Sequence, residues 1–98
     1  MKNSREIMPE LVSSNNFVNC EISSLHIDSR DVREGSVFFA LKGKKQNGID
    51  FIEEAKSKGA KLIISEELIN DNDVVHCNNL KEFLGKFASR FYSHPSKE

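Results

Sequence analysis

Apolar and polar positions along the chain predict an order of short strands and helices. Leu25 and Ile27 alternate with polar neighbours, which predicts a short, half-buried strand. Two later runs, "SVFFAL" and "KLIIS", are almost continuously apolar, and such runs are typical of strands covered on both faces of a sheet. A short apolar run, "DVVHC", predicts one more strand. The predicted strands span 23–29, 36–41, 61–65 and 73–77.

Helical spacing is clearest near the end of the chain. Apolar residues recur every three or four positions through 80–91, Asn79 is a suitable N-cap, and Pro95 follows the pattern. The first dozen residues have a weaker helical pattern, which Pro9 interrupts because a proline past the first turn removes a helix hydrogen bond. We therefore predict a well-formed last helix and a poorly defined first one.

The segment between the second and third predicted strands also has helix signals. Asp50 is an expected N-cap with Glu53 three residues later, and Gly59 is an expected terminator. A strand–helix–strand unit over 36–65 predicts a right-handed crossover between parallel strands. The sequence thus predicts one α/β domain over residues 1–98, with a small mixed, largely parallel sheet and helices on its faces.

Composition excludes several classes of protein. The chain has 98 residues, with 14 basic and 15 acidic side chains and a net charge of −1, so it lacks the cationic surface that nucleic-acid binding requires. No stretch approaches the roughly 20 apolar residues that cross a bilayer. The N-terminus has no apolar signal core, which predicts a cytoplasmic protein. Cys20, Cys77 and the histidines lack metal-ligand spacing, so we predict two buried, reduced thiols and no metal.

Polar segments follow the first two predicted strands, Asp28-Ser29-Arg30 after one and 42–48 after the other. Open α/β sheets bind ligands beyond the carboxyl ends of their strands, where these segments are expected to meet. Glycines let a backbone approach a ligand closely. The groups suited to an anionic nucleotide diphosphate are the hydroxyl of Ser29, the ammonium groups of Lys44 and Lys45, and the backbone N–H groups of Gly43 and Gly48.

Purely structural interpretations of the same residues remain open at this point. Asp28 commonly bonds the backbone that follows it in a turn, and Arg30 could pair with a carboxylate such as Asp31 or Glu34. A loop of lysines and glycines is often only a solvated connection. It is also not a P-loop, since Ile49-Asp50 stand where Lys-Ser/Thr would be required.

The stretch "DSRDVREGSVFFALKGKKQNGIDFIEEAKSKGAKLII" resembles the N-terminal domain of the Mur ligases, and most of all that of the MurE ligases. The ending "ASRFYSHPSKE" is similar to the segment that leads into their central ATPase domain. Two loop residues depart from the family pattern: Asn47 stands where the family usually has Asp, and Ile49 stands where it usually has His. The matching positions are Asp28-Ser29-Arg30, Gly35, Phe38 to Gly43, Gly48, Phe51-Ile52 and Gly59-Ala60.

The resemblance implies a substrate-binding part of an ATP-dependent peptidoglycan ligase. Such an enzyme forms an acyl phosphate that an amino acid's amine attacks. This part would hold the uridine-diphosphate end of UDP-MurNAc-dipeptide, with no catalytic residue, metal or cofactor of its own; ATP and Mg²⁺ would belong to the parent enzyme. The implied binding residues are Ile27, Ser29, Lys44, Lys45 and Gln46, supported by Asp28, Arg30, Gly43, Asn47 and Gly48.

The resemblance leaves two alternatives. One is the same domain of MurF, the ligase that adds D-Ala-D-Ala, and the Phe-Tyr-x-x-Pro-Ser ending favours MurE over it. The other is a stand-alone binding module without a ligase. The expected partners are the substrate and the central and C-terminal domains of the same enzyme, in a monomer that contacts neither nucleic acid nor membrane.

Overall fold

A four-stranded parallel sheet lies at the centre of the structure, a computed structural model that describes residues 2–42 and 48–92. Its strands are ordered as they occur in the chain, and a separate antiparallel pair joins the two strands nearest the N-terminus. The strands are β1 (Lys2–Asn3), β2 (Glu21–Ile22), β3 (Ser24–His26), β4 (Ser36–Ala40), β5 (Leu62–Ser65) and β6 (Val74–His76). The predicted α/β class and the parallel crossover between β4 and β5 are therefore confirmed.

Helices cover both faces of the sheet. They are α1 (Ser4–Ile7), α2 (Ile52–Ser57) and α3 (Leu80–Tyr92), with 3₁₀ turns at Pro9–Leu11, Ser29–Asp31 and Gly48–Phe51. The predicted last helix is confirmed as α3. The weak first pattern forms only α1 and a 3₁₀ turn, because Pro9 can begin a new turn but cannot continue a helix. No helix in the described ranges is long and apolar enough to cross a membrane.

Successive side chains of the central strands point into two different cores. In β4, Val37 and Phe39 pack with α1 and α3, whereas Phe38 and Ala40 pack with α2. β5 divides its residues in the same way, and all of these side chains are buried. Burial on both faces explains why the two strands have continuous apolar runs rather than alternating ones.

Two predicted boundaries are wrong. The strand predicted over 23–29 ends at His26, because the Asp28 carboxylate accepts a hydrogen bond from the Arg30 N–H and starts a 3₁₀ turn. Asp50 lies within a 3₁₀ turn and Phe51 occupies the N-cap of α2, so Asp50 is not the predicted cap. The predicted terminator is confirmed, since Gly59 follows α2 with a φ of +97°.

The two cysteines differ in their surroundings. Cys77 is buried as predicted, and burial raises the pKa of its thiol. Cys20 is only half-buried, so the prediction of two buried thiols is wrong for that residue. Both are free cysteines in the structure.

Candidate functional site

The carboxyl ends of β3 and β4 lie side by side at one edge of the sheet. The two strands are parallel neighbours, with His26 opposite Phe38. The segments that follow them therefore leave the same edge, as the sequence predicts. Of the predicted second segment, Gly48 begins a 3₁₀ turn. The other predicted residues of this segment lie outside the described ranges: Gly43, Lys44, Lys45, Gln46 and Asn47.

The Asp28-Ser29-Arg30 turn is fixed by the first of its residues. The Asp28 carboxylate accepts from the Arg30 N–H at 2.9 Å, and its Oδ2 pairs with the Arg30 guanidinium at 2.8 Å. Arg30 thus pairs with Asp28 instead of Asp31 or Glu34. The hydrogen bond from the guanidinium lowers the pKa of Asp28 to about 2, so this carboxylate remains charged at neutral pH. The interpretation of Asp28 as a turn residue that bonds the following backbone is confirmed, and Arg30 does pair with a carboxylate, although with neither of the two suggested ones.

Ser29 is 5% exposed, and its hydroxyl is already bonded within the protein. Its Oγ donates to Glu54 Oε1 on α2 at 3.0 Å. A serine hydroxyl has one proton, so towards a ligand this Oγ has only acceptor capacity left. Glu54 also pairs with Lys58 at 3.2 Å, and the hydrogen bonds from Lys58 and Ser29 lower the pKa of Glu54.

Sequence reasoning missed both Glu54 and Lys58 as parts of the site. Their i,i+4 spacing on a helix is visible in the sequence and predicts that they pair with each other. Nothing in the sequence indicates that Glu54 contacts Ser29, which lies 25 positions earlier. This contact depends on where the crossover places α2 over the sheet.

Ile27 is the exposed apolar residue of the turn. It lies directly after β3, and 59% of its surface is exposed. A single exposed isoleucine is common on proteins and needs no functional explanation by itself. It lies beside the fixed Ser29 turn, at the edge of the sheet where the sequence predicts a ligand.

An open cleft of about 730 Å³ lies along the same edge, beyond the ends of β4, β5 and β6. The Lys42 N–H donates to Glu66 at 2.8 Å, and the Lys42 ammonium lies 3.3 Å from Glu67. Two carboxylates and one ammonium group thus line this cleft, so its described walls offer a diphosphate no net positive charge. The cleft is lined by Lys42, Glu66, Glu67, Leu68, His76 and Asn78.

Comparisons with known proteins give a consistent result. The model of the Mur ligase family, catalytic domain, matches residues 21–92. The UDP-N-acetylmuramoyl-L-alanyl-D-glutamate--2,6-diaminopimelate ligase of Bacillus velezensis is 36% identical over 85 residues, which cover 86% of this chain and 17% of that protein. The chain therefore spans about one sixth of the length of that curated relative.

Solved structures add support for the fold. MurF ligase from Thermotoga maritima, solved in complex with ADP, is 39% identical and has a TM-score of 0.58, covering 66% of this chain and 16% of that one. A crystal structure of MurF from Acinetobacter baumannii has a TM-score of 0.74, covering 92% of this chain and 21% of that one. At 19% identity, the second likeness shows the fold alone.

Proposed function

Because the chain belongs to the Mur ligase family, we propose that it binds the uridine-diphosphate end of a UDP-MurNAc-peptide in a peptidoglycan-precursor ligase. The geometry that carries this proposal is the pair of adjacent parallel strands, β3 and β4, ending at one edge with a fixed polar turn beside them. The ligase we propose is of the MurE type, which acts on UDP-MurNAc-dipeptide, since the relative from Bacillus velezensis is a diaminopimelate-adding enzyme.

The proposed role is substrate binding rather than chemistry. Although the matching family model describes a catalytic domain, the sequence contains no Gly-x-x-x-x-Gly-Lys-Ser/Thr motif for ATP. Within 2–42 and 48–92, no three His, Cys, Asp or Glu residues are grouped so that they could hold a metal ion. ATP and Mg²⁺ do not fit these residues, and we propose that other parts of the ligase bind them.

A binding segment remote from the reaction still contributes to catalysis. Interactions with a distant part of a substrate supply free energy that holds the reacting end in place. The uridine-diphosphate group is such a distant part, because the ligation occurs at the peptide end. We therefore propose that this segment orients the substrate carboxylate without touching it.

A MurF-type ligase is the second candidate, favoured by the 39% identity to the Thermotoga maritima enzyme. The two proposals differ in the activity of the full ligase. A MurE-type enzyme adds one amino acid to UDP-MurNAc-dipeptide, whereas a MurF-type enzyme adds D-Ala-D-Ala to a longer peptide. Assaying the full-length protein with both substrate pairs distinguishes these outcomes. A gene in which a stop codon follows Glu98 would instead favour a stand-alone module.

Titration of the 98-residue chain with UDP tests the binding proposal directly. We expect millimolar UDP to shift the backbone amide resonances of Ser29 and residues 43–48, because these segments flank the proposed site. The amide resonances of α3, which packs on the face of the sheet opposite to α2, should not shift. Separate titrations with uridine and inorganic pyrophosphate show which half of the ligand each segment contacts. An unchanged spectrum at millimolar UDP would contradict a nucleotide site in this chain.

Substitution of Ile27 by aspartate should weaken UDP binding by at least roughly tenfold, since it removes an apolar contact and adds a charge that repels the diphosphate. The fold should tolerate it, because the residue is largely exposed. Val18→Asp is the matched control: Val18 is 56% exposed and lies beside the opposite, amino-terminal ends of β5 and β6. Equal losses of UDP affinity in the two variants would argue against Ile27 as a contact.

A further inference from the structure

Two hydrogen bonds join the Ser29 turn to helix α2 and its C-cap residue Lys58, and an ion pair within the helix connects the two. Ser29 Oγ donates to Glu54 Oε1 at 3.0 Å, and Glu54 Oε2 lies 3.2 Å from the Lys58 ammonium. Lys58 Nζ then donates back to the Arg30 carbonyl at 3.2 Å. The Glu54 carboxylate takes part in both the bond to Ser29 and the ion pair with Lys58, so its removal breaks the first link and the ion pair that holds Lys58 beside the turn.

We propose that Glu54 is a positioning residue for the nucleotide: it holds the Ser29 turn against α2 and directs the Ser29 hydroxyl proton away from the ligand. The inference rests on the proposed function, because it names what orients one wall of that site. Glu54 itself contacts no ligand in this proposal and acts through Ser29.

The physical basis is the order that Glu54 imposes before a ligand arrives. A hydrogen bond from a hydroxyl to a carboxylate is stronger than one between neutral groups, and the donor, Ser29, is almost fully buried, although the Glu54 side chain is 39% exposed. A turn that is ordered in advance loses less conformational freedom on binding, which raises affinity without a new contact. Without Glu54, the buried hydroxyl has lost its acceptor and the turn has lost one of its two hydrogen bonds to the helix and its C-cap.

A chemical consequence follows for the ligand. With its proton on Glu54, Ser29 Oγ can accept a hydrogen bond from a ligand N–H or O–H group but cannot donate to a phosphate oxygen. The turn is therefore suited to the nucleoside half of a nucleoside diphosphate. The diphosphate half must be held by other groups.

The test compares three variants of one helix. Glu54→Ala removes the acceptor, whereas Glu54→Gln keeps an oxygen for Ser29 but loses the charge pair with Lys58. Glu53→Ala is the matched control, since Glu53 lies in the same helical turn, has a side chain that is 87% exposed and pairs with Lys56, which is outside this network. Each variant is measured by amide hydrogen exchange without ligand and by UDP titration.

The expected result is local. In Glu54→Ala, exchange should rise about tenfold at Asp31 and Val32, whose N–H groups close the 3₁₀ turn, and UDP affinity should fall roughly three- to tenfold. In Glu54→Gln, both the exchange rates and the UDP affinity should stay close to those of the wild type. Glu53→Ala should change neither quantity. Adding Ser29→Ala to Glu54→Ala should raise exchange at Asp31 and Val32 no further, because the two residues order the turn as a unit.

Two outcomes would overturn the proposal. Unchanged exchange at Asp31 and Val32 in Glu54→Ala would mean that Glu54 does not hold the turn. An equal rise across β4 and β5 would mean that it stabilises the fold generally rather than the site. Failure of the wild-type chain to respond to UDP counts against the proposed function instead, and the exchange comparison still decides whether Glu54 orders the turn.

Discussion

Replacement of Phe87 by alanine is expected to lower the free energy of unfolding by about 3–5 kcal/mol. Phe87 is fully buried on α3 and lies between two other rings, with its centroid 6.2 Å from that of Phe39 and 5.7 Å from that of Phe83. Its ring connects α3 to the central strand β4, so truncation leaves a cavity where helix and sheet meet. Urea unfolding followed by circular dichroism measures the change.

Phe83→Ala provides the comparison on the same helix. Phe83 is only partly buried and packs at the margin of the same core, so we expect it to lose about half as much stability or less. A domain of this size is stable by only about 5–15 kcal/mol, so Phe87→Ala should also bring a lower thermal midpoint. Equal losses in the two variants would show that Phe87 does not anchor α3 as its burial indicates.

The parts of the fold that the sequence predicted are those with repeated local signals. The helical spacing through 80–91 and the apolar runs of β4 and β5 each involve several residues that favour the same structure. The pairing of β1 with β2 was missed because each strand has two residues, too few for any periodicity. The predicted start of α2 was wrong because Asp50 has a side chain suited to an N-cap, whereas in the structure it lies in a 3₁₀ turn that precedes the helix.

The site was predicted only as far as it depends on strand order and direction. Strand order and direction follow from the crossover rule, and they bring the ends of β3 and β4 together. Ile27 was assigned to a strand on its alternation with polar residues, whereas β3 ends at His26, before the Asp28 turn, and Ile27 is exposed. The contact between Ser29 and Glu54 is tertiary, and no local pattern encodes it.

Substitution of Gly59 by alanine is expected to destabilise the chain by about 2–4 kcal/mol, because two unfavourable effects coincide. The φ of +97° is one that side chains rarely adopt, and a Cβ at this position would lie 2.9 Å from Glu34 Cα. Relief of that clash requires the end of α2 to move away from the turn before β4. The same movement would lengthen the hydrogen bond from Gly35 N–H to the Gly59 carbonyl, now 3.0 Å. Urea unfolding measures the loss.

Gly85→Ala is the opposing control, because the same chemical change is made where the backbone is helical. Apart from its chain neighbours and the backbone of its own helix, no atom of the described residues lies within 4 Å of a Cβ added at Gly85 on α3. Alanine should therefore stabilise the chain by roughly 0.5–1 kcal/mol through helix propensity. Opposite signs for the two variants would show that close approach and backbone conformation decide the effect at Gly59. A stable Gly59→Ala variant would contradict the close contact between the end of α2 and the turn before β4.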